Sequence, residues 1–162
     1  MNRAFLFFAL SSLAVTGCKK KEEVAASAPV AATMAKPGPV IKLPDLGLQL
    51  DLAGDVRVDK AYDAVGHQLD LGDVGSLEVV LMDAEQTLEE FKAKAESEPK
   101  NPTEEKLADG WAMTSENNSA TKKLYIVDAR RKIDGKFYKC NAYVKTPEKA
   151  AEALSACKSL RK

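Results

Sequence analysis

Lys123-Leu124-Tyr125-Ile126-Val127-Asp128-Ala129-Arg130-Arg131-Lys132-Ile133-Asp134-Gly135-Lys136-Phe137-Tyr138-Lys139-Cys140-Asn141-Ala142-Tyr143-Val144-Lys145 is the stretch that decides the fold. Two β-rich runs, Lys123 to Arg131 and Lys136 to Lys145, flank Asp134-Gly135. Asp-Gly between such runs is a strong signal for a two-residue hairpin turn, because both central residues need positive φ. That turn pairs Ile133 with Lys136 and fixes the register. Ala129 then faces Cys140, Val127 faces Ala142, and Tyr125 faces Val144. All six are apolar or small and share one side of the ladder, as a period of two requires.

Downstream, Thr146 is a good helix N-cap, Pro147 suits the first helical position, and Glu148 favours the positive helix start. Ala150, Ala153, Leu154, Cys157 and Leu160 recur at helical spacing. Cys157 therefore lies on an apolar helix stripe, and Cys140 on the inner side of the hairpin. Docking the helix on the sheet brings the two sulfurs together. The expected Cys140–Cys157 disulfide closes a loop worth about 3 kcal/mol. A redox-active or metal-binding pair is disfavoured, because the spacing is not Cys-x-x-Cys and no histidine is close in sequence.

Upstream, Leu46 to Leu52 alternates strictly and reads as a half-buried strand ending at Gly54, with Val56-Arg57-Val58 extending it after a bend. Gln68 to Leu71 and Ser76 to Met82 read as further strands around the turn Gly72-Asp73-Val74-Gly75. Thr87 starts a helix through about Glu96, with Glu90 completing a capping box and Leu88, Phe91 and Ala95 on one face. Lys100 to Lys106 is polar and contains proline, and reads as a loop. Asp109-Gly110 turns into a strand at Trp111 to Thr114. Strands, helix, strands, helix predict an α+β fold: an antiparallel β-sheet with helices packed against it, the C-terminal helix disulfide-linked to the last hairpin.

The N-terminus gives an address. Met1-Asn2-Arg3 precedes an apolar run from Ala4 to Val15 and then Thr16-Gly17-Cys18. A positive start and a short apolar core mark a signal peptide. The run falls short of the about 20 residues that span a bilayer. Val15-Thr16-Gly17-Cys18 resembles the lipobox of bacterial lipoproteins. The resemblance implies cleavage after residue 17, a diacylglycerol on the Cys18 sulfur and a further acyl chain such as palmitate on its amino group. At about 0.8 kcal/mol per buried CH₂, several chains anchor stably where one binds marginally. Lys19, rather than Asp, follows the cysteine. By the sorting rule of enteric bacteria this implies the outer membrane.

Residues 18–40 read as the lipidated cysteine and a flexible linker. Lys19-Lys20-Lys21-Glu22-Glu23 leads into an Ala/Ser/Pro/Thr stretch ending Lys36-Pro37-Gly38-Pro39. Such composition buries too little apolar surface to fold. About 20 flexible residues give an end-to-end distance of roughly 25 Å. The lysines either touch anionic headgroups or begin a solvated spacer. Residues 41–162 have the size of one domain. With 24 Lys and Arg against 24 Asp and Glu, the chain lacks the basic excess of nucleic-acid binders, so no nucleic-acid partner is expected.

One more resemblance covers residues 41–162. Leu43-Pro44-Asp45-Leu46-Gly47-Leu48, Thr87-Leu88-Glu89-Glu90, Asp109-Gly110-Trp111, Tyr138-Lys139-Cys140 and Ala156-Cys157-Lys158-Ser159-Leu160 resemble the Mog/PsbP-like group. That group includes bacterial lipoproteins alongside the PsbP accessory protein of photosystem II. The resemblance implies an antiparallel sheet between helices and an accessory, partner-binding role. It supplies no catalytic residue, and the metal and photosystem roles of PsbP do not carry over, since no matching residues occur here.

Side chains able to carry chemistry are few. His67, the only histidine, is expected in an exposed turn or strand start, and no Gly-x-Ser-x-Gly accompanies it. Asp51, Asp55, Asp59 and Asp63 recur every four residues, but Gly54, Val56 and Val58 argue against a helical stripe. Asp70-Leu71-Gly72-Asp73 lacks the ligand pattern of a calcium loop. Trp111 reads as core, and Arg130-Arg131-Lys132 as a solvated basic tip. No cofactor and no metal site are expected. The leading expectation is a non-enzymatic envelope lipoprotein, held to the membrane by Cys18 and binding an envelope protein partner. The alternatives are an envelope hydrolase with a carboxylate-based site, and a small-ligand carrier.

Overall fold

In a computed structural model, residues 38–95, 99–119 and 122–162 are described. Cys18, the signal segment and nearly all of the expected linker lie outside them.

The Asp134-Gly135 turn forms as its chemistry requires, with φ of 49° and 75°. It joins β8 (Lys122–Ile133) to β9 (Lys136–Val144). The register is the expected one: Ile133 opposite Lys136, Ala129 opposite Cys140, Val127 opposite Ala142, Tyr125 opposite Val144. Around this hairpin an antiparallel seven-stranded sheet is built in the order β3-β4-β5-β9-β8-β7-β6. The other strands are β3 (Arg57–Lys60), β4 (Gly66–Asp70), β5 (Gly75–Met82), β6 (Lys100–Leu107) and β7 (Gly110–Ser119). A 3-10 turn at Gly72–Val74 links β4 to β5.

Period-two geometry gives this sheet an inner and an outer face. The inner face carries Leu69, Leu77, Val79, Ala112, Val127, Ala129, Tyr138, Cys140, Ala142 and Val144, all buried. Helix α2 (Pro147–Ser159) covers it with Ala150, Ala153, Ala156 and Cys157. Thr146 Oγ1 accepts from Lys149 N, and Pro147 opens the helix as expected. The Cys140–Cys157 disulfide ties α2 to β9, with Cα atoms 5.6 Å apart.

The N-terminal part departs from the expected single strand. Val40–Leu43 (β1) and Leu48–Asp51 (β2) form a separate two-stranded hairpin, turning over Pro44 to Gly47. Val40 opens it, and Pro39 O accepts from Leu52 N. Leu43, Leu48, Leu50 and Leu52 enter the core beside α2. Arg161 bridges back to Gln49 by two backbone hydrogen bonds and forks onto Asp51. Val56-Arg57-Val58 does not extend this strand. Arg57 and Val58 belong instead to β3, an edge of the large sheet.

Lys100 to Lys106 is likewise a strand, not a loop. Its residues are exposed, so no apolar period marks it. What holds it is pairing with β7 across the short turn at Ala108 and Asp109. Pro102, which has no N–H to donate, falls where the register shifts between Lys100 and Thr103, with Asn101 at φ 48°. Gly110 starts β7 at φ 155°, and a Cβ there would stand 1.8 Å from Arg130 O. This close approach requires glycine.

Helix α1 (Leu88–Lys94) carries the expected capping box: Thr87 Oγ1 accepts from Glu90 N, and Glu90 Oε2 from Thr87 N. It buries no residue fully and rests on the outer face through Phe91, whose ring centre lies 5.2 Å from that of Trp111.

Candidate outer-face site

The outer face holds the polar groups that the sheet buries. On β8, Arg130 and Asp128 are both about nine-tenths buried. Arg130 is fixed on several sides. Its Nε donates to Gln86 Oε1 at 2.9 Å and its Nη1 to Ala129 O at 3.0 Å. Its guanidinium lies 5.3 Å from the Phe91 ring centre and 5.1 Å from that of Trp111. Trp111 Nε1 donates to Gln86 O, so Gln86 anchors both side chains. The stack clips α1 to the sheet.

Asp128 is held less well. Arg130 Nη1 stands 3.6 Å from Asp128 Oδ1, beyond hydrogen-bond length. Burial pushes the Asp128 carboxyl above its ordinary value, against the opposing pull of Arg130 and, more weakly, Lys139. Burial also lowers the Arg130 guanidinium, partly offset by Asp128. Directly across the ladder from Asp128 is Asn141. Its Oδ1 is buried without a hydrogen-bond partner, the one side-chain atom of this kind among the described residues.

Past the end of α1 the face opens into a groove of about 350 Å³. Met113, Ser115, Ile126, Asp128 and Tyr143 line its floor, with Phe91 and Pro99 among the residues at its sides. Ser115 is buried and Tyr143 is 50% exposed. The acids nearby already have cations: Glu116 with Lys123 at 2.9 Å, Glu78 with Lys139 at 2.7 Å, and Glu104 with Lys92.

Several sequence-based expectations change place. His67 is buried rather than exposed; it sits on the inner face, where its Nε2 accepts from Asp45 N at 3.4 Å. It holds the β1–β2 turn to the large sheet. Of Arg130-Arg131-Lys132, only Lys132 is exposed. Arg131 forks onto Asp109 and reaches the C-terminal carbonyls of α2. Basic residues read as a solvated tip are thus drawn in by partners distant in sequence. Trp111 is buried as expected, but on the outer face and away from the main core.

Asp51 and Asp59 lie in different sheets, the first paired with Arg161 and the second with Arg57, while Asp55 and Asp63 are exposed. Asp70 Oδ1 accepts from Gly72 N in a local turn. No group of three or more His, Cys, Asp or Glu side chains placed to hold a metal ion occurs among the described residues. None of their helices is long and apolar enough to cross a membrane. The Asp128–Asn141 pair went unread because cross-strand polar pairing inside a hairpin leaves no motif. The signal present was a polar residue at matched outer positions of two β-rich runs.

No family model matches the chain, and no curated protein matches it either.

Proposed function

We propose that the chain is a lipid-anchored, non-enzymatic binding module of the bacterial cell envelope. Cys18 holds it to the membrane, the outer membrane by the identity of Lys19, and residues 18–40 give the domain its reach. The outer sheet face past α1 engages another envelope component. The observation that carries this reading is the contrast between the two sheet faces. The inner face is covered by α2 and the N-terminal hairpin and carries the main core. The outer one keeps a groove with the half-exposed Tyr143 and the buried carboxylate of Asp128 among its lining. Buried ionisable groups with shifted protonation, as at Asp128, concentrate at functional sites.

The likeness of the quoted motifs to the Mog/PsbP-like group belongs to the same reading. So does an arrangement of one helix on each sheet face, with the accessory role that the likeness implies.

A photo-crosslinking residue at Tyr143, compared with one at Tyr62 on the β3–β4 loop, tests it in intact cells. Discrete adducts are expected from position 143 alone, and are lost when Cys18→Ser removes the anchor. No adduct at 143, or the same products from 62, rejects the proposal.

A further inference from the structure

Strand β6 ends the seven-stranded sheet, so one of its edges faces away from the other described strands. It is eight residues long and exposed along nearly its whole length. A bare edge of this length presents N–H and C=O groups that another strand can take. The opposite edge, β3, has only four residues and carries the Arg57–Asp59 ion pair.

The hairpin geometry says which groups are free. The β6–β7 turn at Ala108 and Asp109 closes on Leu107 opposite Gly110. A two-residue turn closes on a hydrogen-bonded pair, and bonding then alternates along the ladder. Leu107, Glu105 and Thr103 therefore bond to β7, while Glu104 and Lys106 turn their N–H and C=O groups outward. The Asp134-Gly135 hairpin gives the same phase when the alternation is followed from Ile133 opposite Lys136 through β8 and β7. Pro102, without an N–H, and the register shift beside it close the edge upstream. The open part runs from Thr103 to Leu107.

Side chains on this stretch are complementary to their own reversed copy. Glu104 lies on the outer face with Lys92 of α1, and Lys106 lies on the same face, opposite Trp111. Set antiparallel against a second copy, Glu104 of each chain stands opposite Lys106 of the other. Both residues have outward backbone groups, so each such pair exchanges two backbone hydrogen bonds. Sliding by two residues in either direction sets Glu104 against Glu104 or Lys106 against Lys106, and like charges directly opposite are destabilising. Sliding by one residue matches outer-face side chains with inner-face ones. Glu105 meets its own copy at the centre, but Lys158 of α2 already holds each Glu105 carboxylate at 2.6 and 2.9 Å. Charges that blunt the edge toward foreign strands thus select one register for its own copy.

We propose that two copies of this chain pair through the free edges of β6, antiparallel about a two-fold axis at Glu105. The interface is isologous, so it closes at the dimer and joins the two sheets into one.

Sedimentation equilibrium of the full chain tests this at low ionic strength, in a polyoxyethylene detergent matched to the solvent density. The native chain is expected to dimerise with a Kd below about 1 mM, at the weak end that suits a small interface. Lys106→Glu alone and Glu104→Lys alone each set like charges opposite one another on both sides of the axis. Each is expected to weaken self-association about tenfold or more. Mixing the two variants puts acids opposite lysines again, so the mixture is expected to associate as a heterodimer. Thermal melts check that both variants fold. A native chain that stays monomeric, single variants that dimerise as the native chain does, or a mixture that stays apart overturns the proposal. Glu105→Cys tests the register without relying on charge, since it places one thiol of each copy at the axis. Mild oxidation is expected to link this variant into dimers much faster than Thr103→Cys, whose thiols lie on opposite sides of the axis. No linked dimer from Glu105→Cys, or equal linking from both variants, overturns the pairing.

Discussion

Arg131 grips Asp109 through two parallel hydrogen bonds, Nε to Oδ1 and Nη2 to Oδ2, both 2.8 Å. The same guanidinium caps the far end of α2: Nη1 donates to Cys157 O at 2.8 Å and to Lys158 O at 2.6 Å. One side chain of β8 thus joins the β6–β7 turn to the C-terminal helix, next to the disulfide.

Arg131→Lys removes this geometry, since a lysine cannot fork onto a carboxylate and reach two carbonyls at once. The Arg131 side chain is only 11% exposed, so solvent does not replace what is lost. Stability should fall by about 2 kcal/mol, read from the urea midpoint. An unchanged midpoint means the fork contributes nothing.

The disulfide spans 17 residues. Opening such a loop costs about 3 kcal/mol. A Cys140→Ala, Cys157→Ala double variant should lose about that much, with the gap to the native chain closing when both are measured under strong reductant. A gap that persists under reductant would locate the effect in packing instead.

Asp128 gives a pH signature. Its folded-state value is raised, with burial the largest cause. Its contribution to stability is therefore fully present below the unfolded carboxylate range, and is lost as pH rises through the folded value. Asp128→Asn removes this penalty while Gln86 and Ala129 O still hold Arg130. The variant should be more stable than the native chain at neutral pH, and the difference should shrink as the solution is made acidic. Thermal melts at a series of pH values decide it. A variant that is less stable at neutral pH contradicts the balance of burial over ion pairing.

Cys18→Ser in the full chain should move the protein from the membrane pellet to the soluble envelope fraction. Metabolic labelling with a radioactive fatty acid should mark the native chain alone. Retention in the pellet, or label on the variant, removes lipidation at Cys18 as the anchor.

The hairpin at Asp134-Gly135 and the caps at Thr87 and Thr146 were legible because each rests on neighbours within a few residues. The disulfide was legible one level up, from a helix stripe and a strand face, each carrying one cysteine. Strand β6 was not. Lys100 to Lys106 has no apolar face to announce it, and its hydrogen bonds come from β7. The N-terminal hairpin was half legible: Leu48 to Leu52 alternates, but Val40 to Leu43 carries too few residues for a period to emerge.

His67, Arg130 and Arg131 show the same limit for side chains. Each carries a charge or a polar ring that reads as exposed in isolation. Each is buried because a partner arrives from elsewhere: Asp45 for His67, Gln86 and the Phe91–Trp111 pair for Arg130, Asp109 and the end of α2 for Arg131. The sequence by itself determined the turn, the register of β8 on β9, the helix starts and which two cysteines share a face, since these follow from local φ preferences and side-chain periods. Only the tertiary structure decided that Asp128 and Asn141 lie side by side on the outer face, with Asn141 Oδ1 buried and unpaired. Burial and hydrogen-bond satisfaction depend on what packs above a residue, and no period along the chain encodes that.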